Sequence, residues 1–299
     1  MKPVQPRAGA KGRQFKAPQP EPKAPRQPKS DHGPFEIYLV GLGIMGVRHS
    51  TREAEDCIRA SNRVFVVDHG FGMREYLQAL CPNVTPLLGE YKEGESRLAT
   101  YRNMAAITVN AAVQDPPVCF ATYGHPTMFV YPSVLIQRAA ALLKMRVHVV
   151  PGISIFDTVL VDLGLDPGLT GFQMYEATAL LIEDRIIQPD VPCLLLQVDT
   201  VESALFTRRP SKPNRFLRLQ RHLEKFYPPD HELISVLSPT FPLLVPIRQK
   251  FRLGDLAQQY SKGTHSGTLY IPPLRRAVKR NAELEQQLYD PKHLRQMVK

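Results

Sequence analysis

No apolar run in this sequence approaches the ~20 residues a helix needs to span a bilayer. The N-terminus is basic, but no apolar segment follows it, so it does not read as a secretory signal. A soluble, cytoplasmic chain with no membrane partner is therefore expected. Cysteine is scarce. The four residues, Cys57, Cys81, Cys119 and Cys193, are scattered without C-x-x-C spacing, and each lies among apolar neighbours. Buried free thiols in a reducing compartment are the expectation. No His/Cys/carboxylate cluster has zinc-like spacing, so no metal is expected. There is no internal repeat. Acid is also short, with 28 Asp and Glu against 38 Lys and Arg, and the excess is unevenly spread. Residues 1–34 alone hold eight Lys/Arg, two acids and eight prolines. Such a segment buries too little apolar surface to fold, and reads as a disordered basic arm. It could touch nucleic acid or an acidic partner, or only solubilise the chain. Nucleic acid is not the expected partner of the folded part.

What is present is organised around Val118–Ser154. Two β-branched apolar runs there end in Tyr123-Gly124-His125-Pro126 and in Pro151-Gly152-Ile153-Ser154. This is the pattern of parallel strands whose carboxyl ends open into ligand-binding loops. Upstream, Phe35–Gly41 reads as a strand leading into Gly41-Leu42-Gly43-Ile44-Met45-Gly46, and Val64–Asp68 as a second strand ending in an acid. Alone, this would be a dinucleotide-binding fingerprint. Against it, Val47–Glu53 is too polar for the helix that normally backs a pyrophosphate, and Ser50-Thr51 with Glu53 looks like a fresh helix start.

Further along, helices are expected over 71–80, 96–114, 133–144 and 155–163, and strands over 84–88, 118–122, 147–150, 193–198, 232–237 and 266–271. The 96–114 helix should bury Leu98, Tyr101, Ala105, Val109 and Ala112. Met174–Thr178 leads into another helix, Arg208–Arg221 opens an amphipathic one, and Phe251–Leu256 resembles a helix start. Strands alternating with helices imply an α/β fold with parallel pairing. The organisation expected is an arm (1–34), an N-terminal α/β domain (35–150), a C-terminal α/β domain (151–275) and a charged helical segment (276–299).

Taken in order, Y-G-H-P, P-G-I-S, D-L-G-L-D-P, Y-E-A-T and Y-I-P-P resemble the tetrapyrrole methylase superfamily, most of all its peptide-modifying branch, the borosin α-N-methyltransferases. The similarity runs from about Phe35 to Pro273. The resemblance implies two α/β domains with S-adenosyl-L-methionine in the cleft between them, S-adenosyl-L-homocysteine as product, and a homodimer. By matched position, Tyr123, His125, Met128, Ser154, Ile155, Gln197, Gly267 and Thr268 would bind the cofactor. Read without the resemblance, the alternative for His125 is a turn residue bonding its own loop.

Tyr91, Arg97 and Tyr101 match the borosin Tyr-Arg-Tyr spacing, and Arg97 and Tyr101 share a helix face. The local alternative is a surface arginine flanked by packing tyrosines. The resemblance implies catalytic roles for Arg97, Tyr101, Tyr91 and Tyr123. An amide nitrogen is a poor nucleophile because its lone pair is delocalised. Arg97 would hold the imidate oxygen. Tyr101 is the first choice of base, with Tyr91 or Tyr123 orienting the amide. Fused borosins carry their substrate as a C-terminal tail, whereas residues 276–299 are charged and helix-forming, so a ribosomal precursor peptide supplied in trans is expected. The alternatives are methylation of a tetrapyrrole or other small molecule, and a non-catalytic scaffold of the same fold.

Overall fold

The computed structural model describes residues 35–68, 70–263, 267–274 and 281–299. The basic arm over 1–34, the first residue of the strand expected at 266–271 and the start of the charged segment from 276 lie outside the described residues.

The first half is β1 (Ile37–Gly41), α1 (Arg52–Ala60), β2 (Arg63–Val67), α2 (Met73–Leu80), β3 (Val84–Pro86), α3 (Arg97–Gln114), β4 (Val118–Thr122), α4 (Tyr131–Leu142) and β5 (Val147–Val150). Its five strands pair in the order β3-β2-β4-β1-β5, all parallel. Successive residues of β1 point to opposite faces, and both faces are buried. Tyr38 and Val40 pack with Cys57, Ile58 and Leu77 under α1 and α2. Ile37 and Leu39 pack with Phe65, Phe120, Met104 and Ile136 under α3 and α4. This is why the strands read as unbroken apolar runs instead of alternating ones.

The second half is α5 (Ile155–Leu163), α6 (Pro167–Thr170), β6 (Gln173–Glu176), α7 (Ala177–Ile182), β7 (Cys193–Leu196), α8 (Leu217–Glu224), β8 (Glu232–Leu237), β9 (Ile247–Arg252), α9 (Leu256–Ser261) and β10 (Thr268–Ile271). The order is β6-β7-β10-β8-β9, with β6 and β7 parallel and the other pairs antiparallel. Cys193, Leu195, Leu233 and Leu269 face α7, α8 and α9. Leu194, Val236 and Tyr270 face α5 through Val159. Two charged helices, α10 (Ala282–Gln287) and α11 (Pro291–Met297), follow.

Several expectations are corrected. Phe251 lies on β9, not at a helix start, and β6 is a strand that the sequence did not announce. The helix expected to open at Arg208 begins only at Leu217. Leu98 is exposed, because α3 buries the neighbouring strip Thr100, Met104, Ala105, Thr108, Val109 and Ala112. The four cysteines are free and buried. Burial pushes the Cys57 thiol up to about 11 and Cys193 to about 12, so both stay protonated. Among the described residues no helix is long and apolar enough to cross a membrane.

Candidate functional site

The carboxyl ends of β1, β4 and β5 meet backbone to backbone. A Cβ on Gly41 would sit 2.6 Å from both the Gly124 oxygen and the Gly152 nitrogen, and one on Gly152 would sit 2.4 Å from the Gly124 oxygen. Gly43 and Gly124 exchange backbone hydrogen bonds of 3.1 and 2.7 Å. Glycine is required at these positions because main chain fills the space where a side chain would go.

The turn after β1 is not a phosphate cradle. The N–H groups of Ile44 and Met45 donate to His49 Nδ1 at 3.3 and 3.0 Å. A single 3-10 turn, Gly46–His49, follows, and α1 starts only after Thr51, whose hydroxyl accepts from the Ala54 N–H at 3.1 Å. The Ile44 and Met45 N–H donors a pyrophosphate would need are already occupied, and α1 does not start until after Thr51. The dinucleotide fingerprint therefore fails, and the helix start expected at Thr51 is present.

Above this floor lies an open cleft of about 430 Å³, inside the roughly 300–1,000 Å³ range of small-molecule sites. One wall comes from the loops after β2, β4 and β5. The other comes from the end of β7, the end of β8 and the start of β10, which coincide because β10 runs antiparallel to both. Gly267 permits this, since a Cβ there would lie 2.4 Å from the Val236 oxygen. Tyr123, His125, Met128, Ser154, Ile155, Gln197, Gly267 and Thr268 all line the cleft.

Their local bonds limit what each can do. His125 Nδ1 accepts from the Thr127 N–H (3.2 Å) and lies 3.1 Å from its hydroxyl, so the ring is a turn histidine and a cleft residue at once. Ser154 caps α5: its hydroxyl and N–H both donate to Asp157 Oδ2, at 2.6 and 2.7 Å, leaving little of the side chain for a ligand. Gln197 and Phe129 are non-glycine residues held at φ 58°. Both line the cleft, and strained backbone of this kind concentrates at ligand sites.

Tyr91, Arg97 and Tyr101 do not line the main cleft but adjoin it. The Tyr91 and Tyr101 rings meet edge to face at 6.2 Å, and Tyr131 lies 6.3 Å beyond Tyr101. Arg97, partly buried at the start of α3, donates through Nη2 to the Ser203 carbonyl and to that of Thr200 (3.4 Å). Around it, the Gly94 N–H bonds the Phe206 oxygen, the Phe206 N–H bonds the Glu95 oxygen, and the Arg97 N–H bonds the Ala204 oxygen, at 2.8, 2.8 and 2.9 Å. The guanidinium is thus fixed where the two halves are joined.

Burial is the main cause that raises the Tyr91 phenol, with Tyr101 adding to it and Arg97 opposing it more weakly. Tyr123 has 51% of its surface exposed to the open cleft, yet the cleft walls surround it closely enough for desolvation, with Asp68 and Tyr101, to raise it too. Both therefore stay as hydroxyls at neutral pH.

Two further cleft residues escaped the sequence reading. Phe129 had no signal of its own. Asp199 lies just beyond the strand expected over 193–198, in the 3-10 turn Val198–Thr200; β7 already stops at Leu196, where Gln197 turns left-handed. Burial raises the Asp199 carboxyl to about 6, against the opposing Gly267 N–H and Arg215 charge. Asp199 also lines a second recess that contains Arg97.

Comparison with known proteins places this geometry. The model of the family Tetrapyrrole (Corrin/Porphyrin) Methylases matches residues 36–189. The chain is 31% identical, over 242 residues and 80% of its length, to the methyltransferase/ribosomally synthesized type I borosin cyclic peptide precursor of Coprinopsis marcescibilis, covering 62% of that protein. It is also 31% identical to the methyltransferase/ribosomally synthesized cyclic peptide omphalotin A precursor of Omphalotus olearius, over 79% of this chain and 57% of that one. The chain thus spans about three-fifths of the length of these two relatives. Uroporphyrin-III-C-methyltransferase of Thermus thermophilus shares the fold at a TM-score of 0.54 and 20% identity, over 79% of this chain and 93% of that one. A structure of the Thermus enzyme complexed with S-adenosyl homocysteine aligns at 0.52 and 19%, over 79% and 95%. The chain belongs to the tetrapyrrole (corrin/porphyrin) methylase family.

Proposed function

We propose that this chain is an S-adenosyl-L-methionine-dependent methyltransferase that methylates backbone amide nitrogens of a ribosomal precursor peptide supplied as a separate polypeptide. The observation that carries the reading is the meeting, at one junction, of a glycine-floored cleft and a Tyr91–Tyr101 pair beside a fixed Arg97. Support for a peptide comes from relatives whose names join a methyltransferase to a peptide precursor. On this reading 35–150 and 151–275 are the lobes that enclose the cofactor, and the working form is a cytoplasmic homodimer.

The residues fit the cofactor. Main chain at Gly41, Gly124 and Gly152 leaves room for close approach, and Met128, Ile155 and Leu196 give apolar surface. His125, Gln197 and Thr268 offer polar groups that would orient it. When bound, S-adenosyl-L-methionine supplies an electrophilic methyl group on a sulfonium.

The chain's own residues then prepare the amide. Arg97 carries five N–H donors and uses Nη2 for Ser203 and Thr200. Its remaining donors would take the amide oxygen and favour charge developing there. Tyr101 is the proposed proton acceptor from the amide nitrogen. Tyr91, whose phenol is held protonated, donates to the substrate or to Tyr101 and so orients it. Tyr123, between the cleft and this pair, would align the amide and exclude water.

Calorimetric titration with S-adenosyl-L-methionine tests the cofactor claim; no heat would favour a scaffold of the same fold. Incubation with Val/Ile/Gly-rich synthetic peptides, followed by mass spectrometry, tests the acceptor claim. Methyl increments on the peptides are expected. Methylation of a porphyrin precursor alone would replace the peptide by a small molecule.

A further inference from the structure

Behind Asp199, on the side away from the main cleft, lies a second recess of about 290 Å³. Arg97, Arg208, Arg209 and Arg215 line it, with hydroxyls from Thr200, Thr207 and Ser211. Three carboxylates partly offset the four guanidiniums. Asp199 is one, and Glu202, which acts on Arg215 and lies 3.6 Å from Arg218 Nε, is another. Glu93 is the third, accepting from the Thr207 hydroxyl (2.5 Å) and the Arg208 N–H (2.9 Å) and lying 3.6 Å from Arg209 Nε. Arg215 is anchored through Nε to the Val201 carbonyl at 2.9 Å. Burial is the main cause that lowers its pKa, with the neighbouring Arg97 adding to it and Asp199 and Glu202 opposing it.

The recess adjoins the tyrosine pair across Phe206. Arg208 stacks 5.8 Å above the Phe206 ring, Phe206 lies 4.9 Å from Tyr91, and Tyr91 lies 6.2 Å from Tyr101. Asp199 and Arg97 connect it to the site on the other side. A chain advancing ~3.3–3.6 Å per residue passes from the tyrosine pair to the recess within a few residues.

We propose that this arginine-lined recess binds a carboxylate of the peptide substrate, an Asp or Glu side chain within a few residues of the amide being methylated. The proposal rests on the peptide-methyltransferase reading and gives the substrate a feature that reading lacks. Planar guanidiniums match a carboxylate with paired N–H donors, which a lysine patch would not do. The recess sets register, so that one acidic anchor fixes which amide reaches Tyr101.

The test uses the full chain and two fluorescent synthetic peptides with the same Val/Ile/Gly core, one bearing Glu three residues from the core and the other Gln. Binding is followed by anisotropy without cofactor. The Glu peptide should bind about tenfold tighter in low salt, and most of that advantage should vanish at ~0.5 M salt. It should also vanish in Arg208→Gln/Arg209→Gln, whose exposed side chains are dispensable for folding. Equal binding of the two peptides, including equal failure to bind, overturns the proposal, as does a preference that survives the double substitution. A single-stranded oligonucleotide that binds tighter than the Glu peptide at physiological salt also overturns it, in favour of nucleic acid. The cofactor titration is scored separately. Heat with S-adenosyl-L-methionine but no Glu preference removes this proposal alone, whereas a Glu preference without cofactor heat removes the methyltransferase reading and keeps an acidic-peptide docking site.

Discussion

At the scale of single residues, the sharpest constraint is Gly152. A methyl group there meets main chain on both sides, the Gly124 oxygen and Gly41, and main chain cannot swing aside as a side chain would. Gly152→Ala should cost about 2–3 kcal/mol in urea unfolding and should abolish cofactor binding. Gly89→Ala, where nothing lies within 4 Å, should be close to neutral. Asp199 gives a prediction in pH. Its folded carboxyl titrates near 6 against an ordinary 3.8. Between those values the folded state holds a proton that the unfolded chain has released. Stability from this group therefore falls as pH rises through that window and is level above it. The stability gap between Asp199→Asn and the parent should grow in favour of the variant from about pH 4 to about pH 6, then stay constant; a gap independent of pH contradicts the account. At the reacting end, Tyr101→Phe should lose turnover, with cofactor affinity within about twofold of the parent by calorimetry. Arg97→Ala should also lose turnover, but its bonds to the Ser203 and Thr200 carbonyls mean that about 1–2 kcal/mol of stability goes with it.

At the scale of elements, the order of helices and strands was legible wherever burial is two-sided or a cap is present. The helix expected over 155–163 is α5 itself, closed by the Ser154–Asp157 capping box and by Gly164. The start at Thr51 was legible because a hydroxyl one position before the helix is what the free N–H groups need. Thr51→Ala should lower stability by about 1 kcal/mol and leave cofactor affinity unchanged, since the capped helix does not face the cleft; a thermal melt and a titration check both halves. What was not legible lies at sheet edges. β9 reads I-R-Q-K-F-R and β6 reads Q-M-Y-E, and each is bonded on one side only. Edge strands carry charge to discourage further pairing, so they lack an apolar signature. The occupation of the Ile44 and Met45 N–H groups by His49 was equally hidden, because it depends on how a turn folds back and not on spacing.

At the scale of the whole molecule, the cleft exists because the parallel sheet and the mixed sheet direct strand ends at one another. The clamp between 94–97 and 204–206 ties α3 to the second half beside Asp199. Of the five motifs, Y-G-H-P and P-G-I-S mark cleft-lining loops, and the eight residues matched by position do share one cavity. The same motifs could not reveal that the Tyr-Arg-Tyr set stands next to that cavity instead of within its wall, since this follows from how the halves dock. Methyl transfer at this junction is the central claim. The most direct measurement is incubation with S-adenosyl-L-methionine carrying an isotopically labelled methyl group and a Val/Ile/Gly-rich peptide, with tandem mass spectrometry to locate the label. Label is expected on backbone nitrogens, and absent when Tyr101→Phe replaces the parent. Label on side chains only, or none on any peptide despite bound cofactor, would contradict that claim.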